Sequence, residues 1–232
     1  MNLSPAPQCP ASLAGQLADS VQYRGRKASR QGSERRRLAI LEAALRIIVR
    51  EGLRGVRHRA VAAEAEVPLS ATTYYFADIQ DLIADSFALF VKRSSASLAA
   101  LWAGLDEDFS RLSASGARGE MVARVIDLAV THVQAKMRQR DEELLVELAF
   151  RQEALTNPQL RPLFLAHQEL RFRFSERVVR ALGSTAPFED AQVLTTLVLR
   201  MEYHAIVDGV EDFDLEAQRA VLQRYLDLLV GS

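Results

Sequence analysis

From Ser33 onward the chain places its apolar residues at spacings of three and four, segment after segment, and almost nowhere alternates them two by two. A period near 3.6 belongs to amphipathic helices and a period of two to half-buried strands. The first such segment carries Leu38, Leu41, Leu45 and Ile48 on one stripe, widened by Ala44 and Val49. Ser33 is the expected N-cap, Glu34 suits the first turn, and Gly52 follows where a positive φ ends a helix. That predicts a helix over 33–51, followed by short helices over 57–64 and through about Tyr75. Asp78 and Asp81 then resemble a capping box opening a long helix over 79–103. Further boundaries at Gly116 and Gly119, Asn157–Pro158, Gly183–Pro187 and Asp208–Asp214 set helices near 119–138, 141–154, 158–182, 187–208 and 214–230. The fold class is all-α, with no fixed-length repeat.

Charge divides the chain. Through residue 93 there are 14 Lys/Arg against 9 Asp/Glu, whereas the remainder has 15 against 21. A basic first third on an acidic body suggests an anion-facing module joined to a part with another task, although chance fluctuation would give the same imbalance. Residues 1–32 read as a disordered tail, with Pro5, Pro7 and Pro10 near its start. It carries Arg24, Arg26, Lys27 and Arg30, leading into Arg35, Arg36 and Arg37. Such an arm either tracks phosphates or is a solvated tail. There is no 18-residue apolar run and no basic start followed by an apolar stretch, so neither a membrane span nor a secretory signal is expected. The one cysteine, Cys9, excludes an internal disulfide, and a cytoplasmic location is the default.

Residues 56–83, VRHRAVAAEAEVPLSATTYYFADIQDLI, carry the functional signal. Two helices of about two turns separated by three or four residues are what a helix-turn-helix requires; the second enters a major groove about 12 Å wide. Val61, Ala62 and Ala65 are small enough for the two to cross closely, and Pro68 fixes the chain's direction into the second. Its expected exposed residues are Leu69, Ser70, Ala71, Thr73 and Tyr74, able to meet thymine methyls, base edges and phosphates.

The ILEAAL core at Ile40–Leu45, Glu51–Gly52, VAAEAEVP, the Tyr-rich helix ending at Phe76, and DLI at 81–83 together resemble the DNA-binding domain of the TetR family over roughly residues 35–85. The resemblance implies a DNA-binding domain over 33–80 and a ligand-binding and dimerisation domain over 81–232. It makes Arg57 a phosphate binder, sets Leu69, Ser70, Ala71, Thr73 and Tyr74 against DNA, and leaves Tyr75 and Phe76 to close the small core, with Tyr75 also able to reach a phosphate. Three positions depart from the family's pattern. Glu66 stands where the turn usually has glycine, Thr73 where a tyrosine is common, and Ile79 where a lysine often contacts phosphate. Arg57, Arg59 and the cluster Arg35, Arg36 and Arg37 would compensate.

The second domain has two helices apolar over a wide arc. One carries Val193, Leu194, Leu197, Val198, Met201, Ala205 and Ile206, and the last carries Leu215, Val221, Leu222, Tyr225, Leu226, Leu228 and Leu229. So wide an arc needs partners on two sides, supplied by the same chain or by a second copy. The resemblance implies the second: a four-helix homodimer interface, with Val193, Leu197, Met201, Leu222, Tyr225 and Leu229 as its residues. Trp102, His132, Glu147, Arg151, His167, Arg171 and Tyr203 are polar residues in apolar contexts, and so candidates to bind a small-molecule effector. No cofactor and no metal is expected, because His58, His132, His167 and His204 share no ligand spacing. There is no Walker loop, GxSxG or Rossmann glycine pattern, so the chain does not read as an enzyme. The expected partners are a pseudo-palindromic double-stranded DNA operator, an effector and a second copy of the chain, with relief of repression as the expected mode. An all-α adaptor that binds protein through the same segment is the competing reading.

Overall fold

The computed structural model describes residues 25–26, 31–115, 117–138, 142–208 and 213–231, apart from the side chains of 31, 101–104, 106–107, 110, 113–115 and 135–138. Most of the expected tail, Cys9 included, lies outside the described residues. Among those described there are nine α-helices, one 3₁₀ turn at Leu53–Gly55, and no strand. The helices are α1 Gln31–Glu51, α2 His58–Glu64, α3 Leu69–Tyr75, α4 Ile79–Ser115, α5 Arg118–Arg138, α6 Glu142–Thr156, α7 Arg161–Ala181, α8 Pro187–Val207 and α9 Leu215–Val230. The all-α expectation holds.

Helix ends follow the local chemistry, with three differences from expectation. α1 begins at Gln31, so Ser33 sits inside its first turn. Its hydroxyl meets the Tyr75 hydroxyl at 2.7 Å, a tertiary use that local pattern does not reveal. α4 continues well past residue 103, because Leu105, Phe109 and Leu112 carry its apolar stripe through Gly104 and no proline intervenes. Asn157 accepts the Gln159 N–H at 3.0 Å, but a turn follows and α7 starts at Arg161. Elsewhere the helix ends fall close to the expected boundaries, although Asp78 takes the N–H two residues on, not the one three residues on that a capping box uses. Gly52 has φ 69°, Asp78 accepts the Gln80 N–H, Pro187 opens α8, and Asp214 accepts the Ala217 N–H at 2.9 Å.

The described residues form two compact units. The first takes those through Ser95 together with 142–167, and the second takes 96–138 and those from Gln168 onward. In the first, Ile40, Leu41, Ala43, Ala44, Ile47 and Ile48 of α1 are buried against Val61, Phe76, Leu82, Phe87 and Phe150. The buried stripe is rotated from the expected one. Leu38 is exposed and Leu45 half-buried, while Ile40 and Ile47 face inward, as the small Ala43 and Ala44 let neighbouring helices approach that side. Phe87 and Phe150 stack with centroids 3.9 Å apart. In the second unit the core is built from Phe109, Met121, Ile126, Val133, Val179, Leu194, Leu222 and Leu226, among others. Among the described residues no helix is long and apolar enough to cross a membrane.

α2 is clamped to α1 from outside. Glu64 accepts hydrogen bonds from Arg50 at 2.8 Å and Arg46 at 2.7 Å. Arg50 first, then Arg46, hold its carboxyl at about 2, against an ordinary 4.5. A depressed carboxylate contributes fully above its unfolded value and loses that contribution as pH falls through its folded one. The clamp should therefore persist to about pH 2, having begun to weaken near 4.5. A carboxyl ¹³C titration should put the Glu64 midpoint near 2, and Arg50→Ala should move it upward; a wild-type midpoint above 4 would mean that the clamp does not form in solution.

Candidate functional site

α2 starts after an extended Arg57 (φ −136°), whose guanidinium is exposed. α2 ends in a turn in which the Ala65 and Val67 N–H groups return to the Val61 and Ala62 carbonyls. Glu66 adopts φ 54° there and is the one non-glycine residue with positive φ among those described. The position is left-handed, which accounts for the glycine that the resemblance puts there, and a glutamate is not the residue such a position prefers. Glu66→Gly should accordingly raise stability by roughly 0.5–1 kcal/mol, the relieved Cβ strain exceeding the added freedom of the unfolded chain. Urea unfolding would measure it, and a loss of stability would show that the Glu66 side chain makes a compensating contact.

Pro68 directs the chain into α3, a seven-residue helix. Leu69, Ser70, Thr73 and Tyr74 project from its outer side, Leu69 being 44% and Tyr74 54% exposed. Its inner side carries Thr72 and Tyr75, both buried. The Thr72 hydroxyl donates to the Leu69 carbonyl at 2.8 Å, so a buried polar group is satisfied within its own turn. The outer side therefore presents a hydroxylic, aromatic and aliphatic surface, and Arg36, Arg57 and Arg59, earlier in the same unit, are exposed.

Ala71 and Arg37 lie away from this face, and Tyr75 takes the core-closing one of its two expected roles. Ala71 is half-buried and packs against the core, because it sits on the inner side with Thr72 and Tyr75. The Tyr75 hydroxyl donates to the Ser33 carbonyl at 3.1 Å, which commits it to closing the core and not to a phosphate. Arg37 is 3% exposed, and its Nη2 lies 2.6 Å from Asp85 Oδ2 on α4. It is an internal ion-pair partner, unlike its neighbour Arg36. The first described residues join the same corner: the Gly25 N–H donates to Asp85 at 3.0 Å and the Arg26 N–H to the Tyr75 carbonyl at 2.9 Å. Asp85 was not anticipated, although a lone carboxylate within the apolar run Leu82–Phe90 is a readable sign of a buried partner.

The polar candidates for effector binding fall into two groups, one in each unit. In the first unit Glu147 is buried beside Arg151 at 3.3 Å, with His167 Nε2 at 3.9 Å. His167 is itself buried, and its ring stands edge-on to Phe90. In the second, buried Glu202 accepts from Arg171 at 2.6 Å and from His132 at 2.8 Å, joining α7, α5 and α8. Sequence reading missed Glu202, though it falls on the same helical stripe as Leu194, Met201 and Ala205. Tyr203 instead lies on the exposed outer face of α8. The Trp102 side chain lies outside the described residues. Among the described residues no group of three or more His, Cys, Asp or Glu could hold a metal ion.

The expected dimerisation residues divide in the same way. Met201, Leu222 and Leu229 are buried in the second unit's own core and so present no surface to a partner. Leu197 is half-buried against that core, as is Tyr225, whose hydroxyl donates to the Asp190 carbonyl at 2.7 Å. Val193 is exposed. The exposed apolar residues of these two helices are Phe188, Val193, Tyr203 and Val207 on α8 and Val221 and Leu228 on α9. Their register is displaced from the expected set because the inner stripe takes the residues with closest helix-to-helix approach.

No family model and no curated protein matches the chain. Solved structures do. A transcriptional regulator from Rhodococcus sp. Rha1 is 19% identical, covering 84% of this chain and 96% of its own at TM-score 0.64. A candidate transcriptional regulator from Saccharomonospora viridis, in complex with choline, is 20% identical with the same coverage at TM-score 0.60. A candidate TetR-family transcriptional regulator from Mesorhizobium loti MAFF303099 is 13% identical, covering 87% of this chain and 98% of its own at TM-score 0.57. The chain has the fold of the TetR-family transcriptional regulators.

Proposed function

We propose that this protein is a DNA-binding transcriptional regulator that grips a pseudo-palindromic operator as a homodimer and is released from it by a small-molecule effector. The observation that carries the reading is the outer side of α3. A seven-residue helix held by its inner side turns Leu69, Ser70, Thr73 and Tyr74 to solvent, behind a tight turn from α2. That is the arrangement a helix needs to lie in a major groove while its partner helix crosses the backbone. Arg57, Arg59 and Arg36 supply the phosphate contacts in this reading, and α1–α3 form the DNA-binding domain. No catalytic step and no cofactor is assigned to the chain.

One seven-residue helix reads too few base pairs to single out an operator, which motivates pairing about a two-fold axis. The exposed apolar residues Val193, Tyr203 and Val207 on α8, with Val221 and Leu228 on α9, are the surface assigned to that pairing. The effector residues are drawn from Glu147, Arg151 and His167 in one unit and His132 and Arg171 in the other, with Trp102 retained as a candidate. The choline bound to the Saccharomonospora viridis protein supports a small-molecule effector here without naming it. Effector and operator would each weaken the other's binding by the same factor.

The test is selection of duplexes from a random-sequence library, followed by mobility shift at two salt concentrations. Recovery of a two-fold symmetric sequence, with affinity falling steeply as salt rises, is the expected result. Failure to recover any duplex would turn the reading toward a protein-binding adaptor.

A further inference from the structure

Arg26 belongs to none of the elements that make up the three-helix domain, yet the structure seats it on the outer side of α3. We propose that Gly25–Arg26 form a docked arm that extends the DNA-binding face, with Arg26 a phosphate contact held in place by Tyr74. This rests on the DNA-binding reading above.

Four observations fix the arm. The Gly25 N–H donates to Asp85 Oδ2 at 3.0 Å, and that same carboxylate oxygen takes Arg37 at 2.6 Å. The Arg26 N–H donates to the Tyr75 carbonyl at 2.9 Å, at the C-terminal end of α3. The Gly25 backbone lies so close to the core that a Cβ there would stand 2.5 Å from the Phe76 ring and 2.9 Å from the Tyr75 carbonyl. Only glycine fits that approach. Lastly, the Arg26 guanidinium sits 4.4 Å from the centroid of the Tyr74 ring, while both residues remain exposed.

The chemistry points to phosphate. A guanidinium held over an aromatic face still has N–H donors to offer, and it has lost much of the freedom that an arginine in an open arm would surrender on binding. Tyr74 is one of the outward residues of α3, so a duplex meeting that helix meets the Arg26 donors with it. The arm's own anchors are backbone N–H groups, which leaves the Arg26 side chain for the ligand.

The test compares wild type, Arg26→Ala and Gly25→Ala as full chains on a duplex selected by the wild type and on a scrambled duplex, across a salt series. Arg26→Ala should weaken binding by about tenfold per protomer on both duplexes and lower the slope of log affinity against log salt by about one per protomer. Gly25→Ala keeps every charge but lifts the arm, and it should lower the slope in the same way. Thermal unfolding followed by circular dichroism should show both variants helical, because each lesion can be relieved without moving α1–α3. A wild-type slope in Arg26→Ala would overturn the contact, and a wild-type slope in Gly25→Ala would overturn the docked arm. Loss on the selected duplex alone would replace phosphate binding by base reading. A wild type that selects no duplex would sink the DNA-binding reading itself, an outcome distinct from all of these.

Discussion

Replacing Asp85 by alanine is expected to remove about 3–5 kcal/mol of stability, the usual cost of stripping one partner from a buried ion pair. Asp85 is 1% and Arg37 3% exposed, and their 2.6 Å contact joins the second turns of α4 and α1. Without the carboxylate the guanidinium keeps Glu34, at 3.7 Å and largely in water, as an acidic neighbour. That pairing recovers little, since exposed ion pairs contribute at most about 1 kcal/mol. The Gly25 N–H loses its acceptor at the same time. Urea unfolding followed at 222 nm would report the loss as a lower midpoint. The double replacement Arg37→Met with Asp85→Leu should recover most of it, because an apolar pair of similar volume escapes the desolvation cost. A loss below about 1 kcal/mol in Asp85→Ala would mean that water reaches the pair. The same residues separate two roles for Arg37. As an internal partner, Arg37→Ala lowers stability by a comparable amount and leaves the salt dependence of DNA binding largely intact; as a phosphate contact it would do the reverse.

How much of this was legible in the sequence depended on how local each cause is. Helix caps at Gly52, Asp78, Pro187 and Asp214 were readable because each is decided within four residues of itself. The strained left-handed turn at Glu66 was readable too, once the segment was recognised as a helix-turn-helix. Four of the five residues expected to face outward on α3 do so; Ala71 does not, because an alanine satisfies either side of a helix. Arg37 was misassigned for a different reason, and Tyr75, read as closing the core, does so through a bond that the local pattern does not show. Their partners, Asp85 and Ser33, lie 48 and 42 residues away, and no local pattern distinguishes a cation bound for solvent from one bound for a buried carboxylate. The same holds for α8 and α9. A wide apolar arc shows that two sides are covered, but the side facing the chain's own core is fixed by packing, which took Met201, Leu222 and Leu229 inward and left Val193, Val221 and Leu228 outside.

Glu202→Ala should destabilise the second unit by about 3 kcal/mol. Its side chain is fully buried and accepts from Arg171 on α7 and His132 on α5, so one carboxylate fixes three helices at a single point. The expected loss sits at the low end of the range for broken buried pairs because the side chains of His132 and Arg171 keep partial access to water, 32% and 14%. Glu202→Gln should fall in between, retaining the shape and one acceptor but not the charge-assisted bonds. A cycle combining Glu202→Gln with His132→Ala would isolate the pairwise coupling, which should exceed 0.5 kcal/mol if the two act through one contact. Strict additivity would instead mean that the His132 contact does not hold the carboxylate. The arrangement also constrains the effector. Any anionic group seeking His132 and Arg171 must compete with a carboxylate already in place, so in Glu202→Ala both donors become available. An effector that binds through them should therefore bind the variant more tightly, whereas one that binds through Glu147 and His167 in the first unit should bind it as it binds the wild type.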